Sequence, residues 1–94
     1  MSLAIIWTPE AEQTFEATVN QIEEKWGSAS AKKFVQTAKR IIGTISTQPY
    51  IFIASYTTNV RRATVTKQTS MFYEVHTAYI SILFFWDNRQ EPLL

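Results

Sequence analysis

The spacing of apolar residues changes once along the chain, and this change restricts the fold more than any other feature of the sequence. Up to about residue 49, apolar residues recur every three or four positions, as on one face of a helix. From about residue 60 they alternate with polar residues, as in half-buried strands. Because the gaps between these strands are too short for a crossover helix, the second half is predicted to be an antiparallel meander.

Two helices are predicted in the first half, after a short buried strand at about 4–7. The first begins after the N-cap residue Thr8, with Pro9 at the first helical position, and ends at Gly27. Ser28 or Ser30 is expected to cap the second helix, which Pro49 stops. A link of one or two residues implies an antiparallel pair of helices. Residues 50–59 are interpreted as a connecting loop.

The pairing of the later strands, at about 60–67, 70–76 and 79–86, can also be predicted. If His76 pairs with Tyr79, the side chains that face the helices are Met71, Tyr73, Val75, Ile80, Ile82 and Phe84. A three-residue turn before the middle strand would pair Ala63 with Val75 and place Arg62 opposite His76. The uncovered face would then carry Arg62, Phe72, Glu74, His76, Ser81 and Leu83. The expected fold is α+β, with the order β-α-α-β-β-β and a helical hairpin packed on one face of a small, mainly antiparallel sheet. Residues 1–94 would form a single domain.

Charged residues are distributed unevenly, although the net charge is only +1. Residues 1–24 contain five acidic residues and no basic one, whereas residues 25–67 contain eight basic residues and no acidic one. The basic middle could attract nucleic acid or an acidic partner. The simpler interpretation, which we favour, is that the acidic first helix pairs with the basic second helix on a solvated surface.

The amino-acid composition argues against disulfides, metal sites, membrane spans and secretion. The chain has no cysteine, which excludes disulfides and thiolate metal sites. Its single histidine, His76, cannot build a metal site without surrounding carboxylates. No apolar run approaches the ~20 residues of a membrane span, and no signal peptide is evident. We therefore expect a cytoplasmic protein that needs no metal or other cofactor.

Six short motifs follow one another along nearly the whole chain: Ile6-Trp7-Thr8-Pro9, Lys25-Trp26-Gly27, residues 34–49, Val60-Arg61-Arg62, Phe72-Tyr73-Glu74-Val75 and residues 80–92. In this order and spacing they resemble the RelE/ParE family of small toxins from bacterial toxin–antitoxin pairs. The resemblance implies a β-α-α-β-β-β fold and a toxin that acts on the cell's own translation or replication machinery. It also implies a cognate antitoxin that wraps the toxin and blocks its target surface.

The family resemblance implies two alternative activities. ParE-like members poison DNA gyrase, whereas RelE-like members cut messenger RNA in the ribosomal decoding site without a metal. Arg89 matches a basic residue of the nuclease branch, and Arg61 or Arg62 matches its basic residues on the second strand. Ser70, however, stands where the nuclease pattern has arginine. The nuclease pattern also has a tyrosine near its C-terminal end, and this sequence has no residue that matches it. These departures favour the gyrase branch. A third alternative is a non-toxic family member that only binds its antitoxin and regulates their shared promoter.

If the chain is a nuclease, its candidate site residues follow from the chemistry of attack by a ribose 2′-hydroxyl. That reaction needs a base, an acid and cations around the phosphate. Glu74 or His76 could act as base or acid, and the candidate cations are Arg62, Arg89, Arg61 and Lys67. The simpler interpretation is that Glu74 and Arg62 form a cross-strand ion pair, while His76 and Lys67 are ordinary surface residues.

Two further features concern the end of the chain and the sheet surface. Asp87 is expected to hold Arg89 at the rim of the open face, although Asp87 could instead pair with Arg61 or Arg62 as a C-terminal clasp. Three residues are expected to form an exposed apolar patch: Phe72, Leu83 and Phe85. The antitoxin would cover this patch, or a second copy of the chain would bury it in a homodimer.

Overall fold

Two helices and four strands follow one another in the order β-α-α-β-β-β, as predicted. The computed structural model describes residues 2–54 and 59–90. Within these ranges the elements are β1 (Ala4–Trp7), α1 (Pro9–Trp26), α2 (Ser28–Thr47), β2 (Val60–Thr66), β3 (Thr69–Val75) and β4 (Tyr79–Asp87). Residues 55–58 of the predicted connecting loop, and residues 91–92 of the final motif, lie outside the described residues.

The first helix is anchored to the sheet by its own N-cap. The hydroxyl of Thr8 accepts a hydrogen bond from the backbone N–H of Ala11 at 3.1 Å and donates to the carbonyl of Ile82 at 2.8 Å. One hydroxyl therefore both caps α1 and ties its start to β4. At the other end of α1, Gly27 alone separates the two helices. Its φ of 96° is one that residues other than glycine rarely adopt. The expected serine cap of α2 is wrong, because Gly27 occupies the N-cap position and Ser28 is already helical.

The sheet has the strand order β1-β4-β3-β2, with β1 parallel to β4 and the other pairs antiparallel. Both helices cover one face, where α1 packs against α2 and β4. The core on this face contains Ala11, Phe34, Ala38, Ile45, Ala63, Val65, Met71, Tyr73, Val75, Ile80, Ile82 and Phe85. The opposite face of the sheet carries no helix among the described elements, and no helix described here is long and apolar enough to cross a membrane.

The predicted pairing of β3 with β4 is correct up to a bulge and wrong beyond it. Val75 pairs with Ile80 and Tyr73 with Ile82, as predicted, but the register then shifts between Phe72 and Tyr73. Phe84 consequently pairs with Phe72 rather than Met71. Because one extra residue reverses which side chains point inward, Phe84 lies on the open face and Phe85 lies in the core.

The predicted pairing of β2 with β3 is wrong by four positions. The turn contains only two residues, Lys67 and Gln68, and the register shifts between Thr64 and Thr66. Ala63 therefore pairs with Met71 instead of Val75. By the same shift Arg62 pairs with Phe72 and is not opposite His76. The alternation of side chains is preserved, so Arg62 still lies on the open face.

Candidate functional site: the open face of the sheet

The sheet surface away from the helices carries the polar side chains from which a site could be built. We call it the open face and define it by Arg62, Thr64, Ser70, Phe72, Glu74, His76, Ser81, Phe84, Trp86 and Asn88. Strand alternation places these side chains on one surface. Their contacts divide them into two polar clusters, one at each end of the strands.

The first cluster fixes Arg62 at the end of the sheet near the β2–β3 turn. Its Nε donates to Ser70 Oγ at 3.0 Å, and its Nη2 donates to Asn88 Oδ1 at 2.6 Å. Ser70 Oγ in turn donates to the same Asn88 oxygen at 2.7 Å, and Ser70 is fully buried. The guanidinium carbon lies 5.8 Å from the centre of the Phe72 ring. Arg62 is thus held in one orientation by two polar partners and a ring.

The second cluster lies around His76, beside the β3–β4 turn. His76 Nε2 is 3.2 Å from Ser81 Oγ and 3.7 Å from a carboxylate oxygen of Glu74. The imidazole also stacks on Tyr79, with ring centres 4.3 Å apart. About a third of each of the Glu74 and His76 side chains is exposed. An acid and a base in contact, both reachable from solvent, can exchange a proton with a bound ligand.

Two stacked rings separate these clusters. Phe72 and Phe84 face each other across β3 and β4, with ring centres 4.8 Å apart. In the part of the chain that the structure describes, the ion pairs are His76 with Glu74 and Arg89 with Asp87. The expected ion pair between Glu74 and Arg62 is therefore not formed. Among the described residues, Arg62 therefore makes its polar contacts with Ser70 and Asn88 and not with the candidate acid and base.

Arg61 serves the loop instead of the open face. Its Nη1 donates to the carbonyl of Phe52, and its guanidinium lies 4.8 Å above the ring of Tyr50. Arg61 also forms an isolated bridge with Ala54, while its Nε is buried without a partner. These contacts hold the segment before β2 against the edge of the sheet. The sequence could not choose between the two adjacent arginines, and the structure places only Arg62 on the open face.

Arg89 is held by Asp87, as expected, but on the other side of the sheet. The guanidinium donates to both carboxylate oxygens, from Nε at 3.0 Å and from Nη2 at 2.8 Å. These hydrogen bonds from Arg89 lower the pKa of Asp87. The pair lines a cleft with Lys25 and Trp26 of α1, so the expected position at the rim of the open face is wrong. The alternative clasp of Asp87 with Arg61 or Arg62 is wrong as well.

The expected apolar patch is largely buried within the chain itself. Phe72 is 1% exposed, and Phe85 is 4% exposed in the core, where it contacts Trp7 and Phe15. Of the three expected residues, only Leu83 is partly exposed. The half-buried rings on the open face are Phe84 and Trp86. Simple alternation could not find them, because the bulge in β4 reverses the inward and outward positions.

The acidic α1 lies beside the basic α2, as predicted, but the predicted pairing of their charges is wrong. Across the described residues, no ion pair joins the two helices.

Lys67, a candidate cation, is exposed in the β2–β3 turn, beside the start of α2. No group of three or more histidine or acidic residues that could hold a metal ion occurs within residues 2–54 and 59–90.

Comparison with known proteins agrees with this architecture. The fold is similar to the chromosomal ParDE toxin–antitoxin system from P. aeruginosa, with a TM-score of 0.77 and 20% sequence identity over 92% of this chain and 96% of that chain. It is also similar to the YoeB dimer from Staphylococcus aureus, with a TM-score of 0.64 and 15% identity over 89% of this chain and 94% of that chain. No individually curated protein matches the sequence.

The sequence itself assigns the family. The sequence model of the ParE toxin of the type II toxin–antitoxin system, parDE, matches residues 5–92, which is nearly the whole chain. The predicted resemblance to the RelE/ParE family is thereby confirmed, and so is the predicted fold. The chain belongs to the ParE toxin family of type II toxin–antitoxin systems.

Proposed function

We propose that this protein inhibits growth by binding DNA gyrase and that it does not cleave messenger RNA. A cognate antitoxin neutralises it, and both proteins act in the cytoplasm, where gyrase works. The family assignment supports an antitoxin partner, as does the similarity to a ParDE system. The half-buried rings of Phe84 and Trp86, with the partly exposed Leu83 next to them in β4, offer the antitoxin an apolar surface.

The observation that carries the choice of target is the division of the open face into two clusters. Cleavage by a 2′-hydroxyl needs a base, an acid and a cation around one phosphate. Arg62 is bound to Ser70 and Asn88, towards the β2–β3 turn, whereas Glu74 contacts His76, towards the β3–β4 turn. The stacked rings of Phe72 and Phe84 lie between them. Arg89, the remaining family cation, lies on the helix side. This arrangement supports a binding function over RNA cleavage.

Ribosome-dependent RNA cleavage is the second candidate, and one observation favours it. Glu74, His76 and Ser81 form a partly exposed group in which an acid and a base are in contact. Such a group could move a proton at a phosphate if the ribosome supplied the missing cation. The two candidates therefore differ in whether Glu74 and His76 are needed for toxicity.

The test compares two reactions with the same purified protein. In the first, gyrase supercoils a relaxed plasmid; in the second, primer extension maps cuts on a messenger RNA in a translation extract. We expect the protein to inhibit supercoiling and to leave the message intact. Codon-phased cuts, lost in Arg89→Ala or His76→Gln, would overturn the proposal and establish the nuclease.

A growth assay supplies the matched variants. Glu74→Gln keeps the shape of the side chain, and His76→Gln keeps a polar group that can hydrogen-bond to Ser81, but both changes remove the acid–base chemistry. We expect both variants to arrest growth on induction as the wild type does, and co-expression of the antitoxin to restore growth. If the wild type does not arrest growth, the chain is instead a non-toxic family member that binds its antitoxin.

A further inference from the structure

A groove lies between the helical hairpin and the β2–β3 turn, on the opposite side of the sheet from the open face. Its volume is about 320 Å³. We call it the hairpin groove and define it by its lining residues, which are Ile22, Trp26, Ser30, Lys33, Phe34, Thr37, Thr66, Lys67 and Gln68. The proposed function uses none of these residues, and the groove is large enough to hold one or two side chains.

The apolar part of the groove includes a strongly exposed tryptophan. Trp26, the last residue of α1, is 64% exposed, while Phe34, which also lines the groove, is 3% exposed and Ile22 is half-buried. An exposed indole beside an apolar floor leaves a large rigid surface in water. Tryptophan is also among the residues that contribute most to binding when a partner covers it.

The charged part of the groove has one sign only. Lys33 and Lys67 line it, and no acidic residue does. Neither lysine takes part in an ion pair within the described ranges. The sequence has no acidic residue between Lys25 and Lys67, so no carboxylate of this segment can neutralise the groove. The four remaining polar residues of the lining offer hydroxyl and amide groups to a bound backbone.

We propose that the hairpin groove binds an acidic peptide segment of a partner protein. A bulky apolar side chain of the peptide packs between Trp26 and Phe34, and its flanking carboxylates pair with Lys33 and Lys67. Charge complementarity carries this choice of occupant. The proposal does not depend on whether gyrase or the ribosome is the target.

Nucleic acid fits the groove less well than an acidic peptide. A polyanion running along the groove would meet the acidic helix α1, in which Glu23 and Glu24 come shortly before Trp26. The whole chain has a net charge of only +1, whereas nucleic-acid-binding domains are usually strongly basic. A short peptide can place its carboxylates on the lysine side alone.

The experiment uses the three tryptophan side-chain N–H signals in a ¹⁵N NMR spectrum, one each from Trp7, Trp26 and Trp86. The signal that is present in the wild-type spectrum and absent from the spectrum of Trp26→Phe is assigned to Trp26. The probes are three synthetic nine-residue peptides of aspartate and glutamate with a central leucine, phenylalanine or tryptophan. Their controls have a central serine, or lysine in place of the acids. We expect at least one acidic apolar peptide to shift the Trp26 signal, while both kinds of control leave it in place.

A pair of charge reversals supplies the matched test. Lys33→Glu/Lys67→Glu is expected to weaken peptide binding about tenfold or more. Lys39→Glu/Arg40→Glu, on the same helix but outside the groove, is expected to leave binding within about twofold. Signal dispersion in the same spectra checks that each variant is folded. If no acidic apolar peptide shifts the Trp26 signal at about 1 mM, the proposal is wrong. It is equally wrong if a single-stranded oligonucleotide shifts the signal and the peptides do not.

Discussion

Arg61 and Arg62 are neighbours in the chain, yet their guanidinium groups lie on opposite sides of the sheet. Arg62 lies over Phe72 on the open face, whereas Arg61 lies over Tyr50 beside the loop. The alternation of a strand gives adjacent side chains different surroundings, so their roles cannot be exchanged. At the residue scale, strand alternation therefore decides which of two identical side chains faces outward.

Tyr73 contributes a pH dependence to stability. It is fully buried, its hydroxyl donates to the carbonyl of Pro49 at 2.9 Å, and burial raises its pKa to about 12. In the unfolded chain a tyrosine phenol ionises near pH 10. The contribution of Tyr73 to the free energy of unfolding is therefore complete below pH 10 and is lost as the pH rises towards 12. We expect the wild type to lose about 2 to 3 kcal/mol of unfolding free energy over this interval.

Urea unfolding at a series of pH values measures this loss. Tyr73→Phe has no phenol to ionise at this site, so its unfolding free energy is expected to fall less than that of the wild type. Tyr79→Phe, which removes a hydroxyl from a 39% exposed residue, serves as the control and should behave as the wild type. A parallel decline in wild type and Tyr73→Phe would assign the pH dependence to other groups.

Asn88 joins the end of β4 to Arg62 and to the buried hydroxyl of Ser70. Its Oδ1 accepts from both groups, and its backbone N–H donates to the carbonyl of Gln68. Asn88→Ala removes the shared acceptor, and we expect a loss of about 1 to 2 kcal/mol in urea unfolding. Asn88→Asp keeps an acceptor opposite Arg62 and should lose less. If Asn88→Ala and Asn88→Asp lose the same free energy of unfolding, the acceptor oxygen at position 88 does not contribute to stability.

At the scale of elements, one residue connects the two helices. Gly27 has a φ of 96°, and apart from its two chain neighbours no residue comes within 4 Å of the position that an added Cβ would occupy. The cost of Gly27→Ala therefore comes from backbone conformation alone, and we expect a loss of about 1 kcal/mol or more in thermal unfolding.

The second glycine of the chain is the matched control for this prediction. Gly43 lies inside α2 with a negative φ, and it too has nothing within 4 Å of an added Cβ. Gly43→Ala is expected to stabilise the protein by about 0.5 to 1 kcal/mol, because alanine favours a helix interior. The same chemical change should thus have opposite signs at the two positions. A shift of the same sign in both variants would contradict this account of the link.

At the scale of the whole molecule, the described helices cover one face of the sheet, and the bulge in β4 decides which phenylalanine belongs to the core. Phe85 contacts Trp7 and Phe15 under the helices, whereas Phe84 stacks on Phe72 on the open face. Phe85→Ala is expected to cost about 3 to 5 kcal/mol in urea unfolding, since it leaves a cavity in the core. Phe84→Ala, at a partly exposed position, should cost clearly less. The reverse order would mean that the strand alternates without a bulge.

The elements of this protein and their order are determined by local sequence. The spacing of apolar residues, the Thr8 cap with Pro9, and the glycine at the end of the first helix act over a few residues, so they can be recognised without knowledge of the fold. The family motifs, distributed over the same elements, indicated the RelE/ParE family, which the match to the ParE toxin model confirms. Pairings close to the β3–β4 turn were predictable because few residues separate the partners.

Only the tertiary structure decided the register beyond the bulge, the two-residue turn at Lys67 and Gln68, and therefore the contents of the open face. A shift of one residue reverses every side chain after it, and no local pattern announces such a shift. For this reason Phe84 replaced Phe85 on the open face, and Arg62 came to lie beside Asn88 instead of His76. The sequence determined which residues the sheet contains, and long-range packing determined which of them meet.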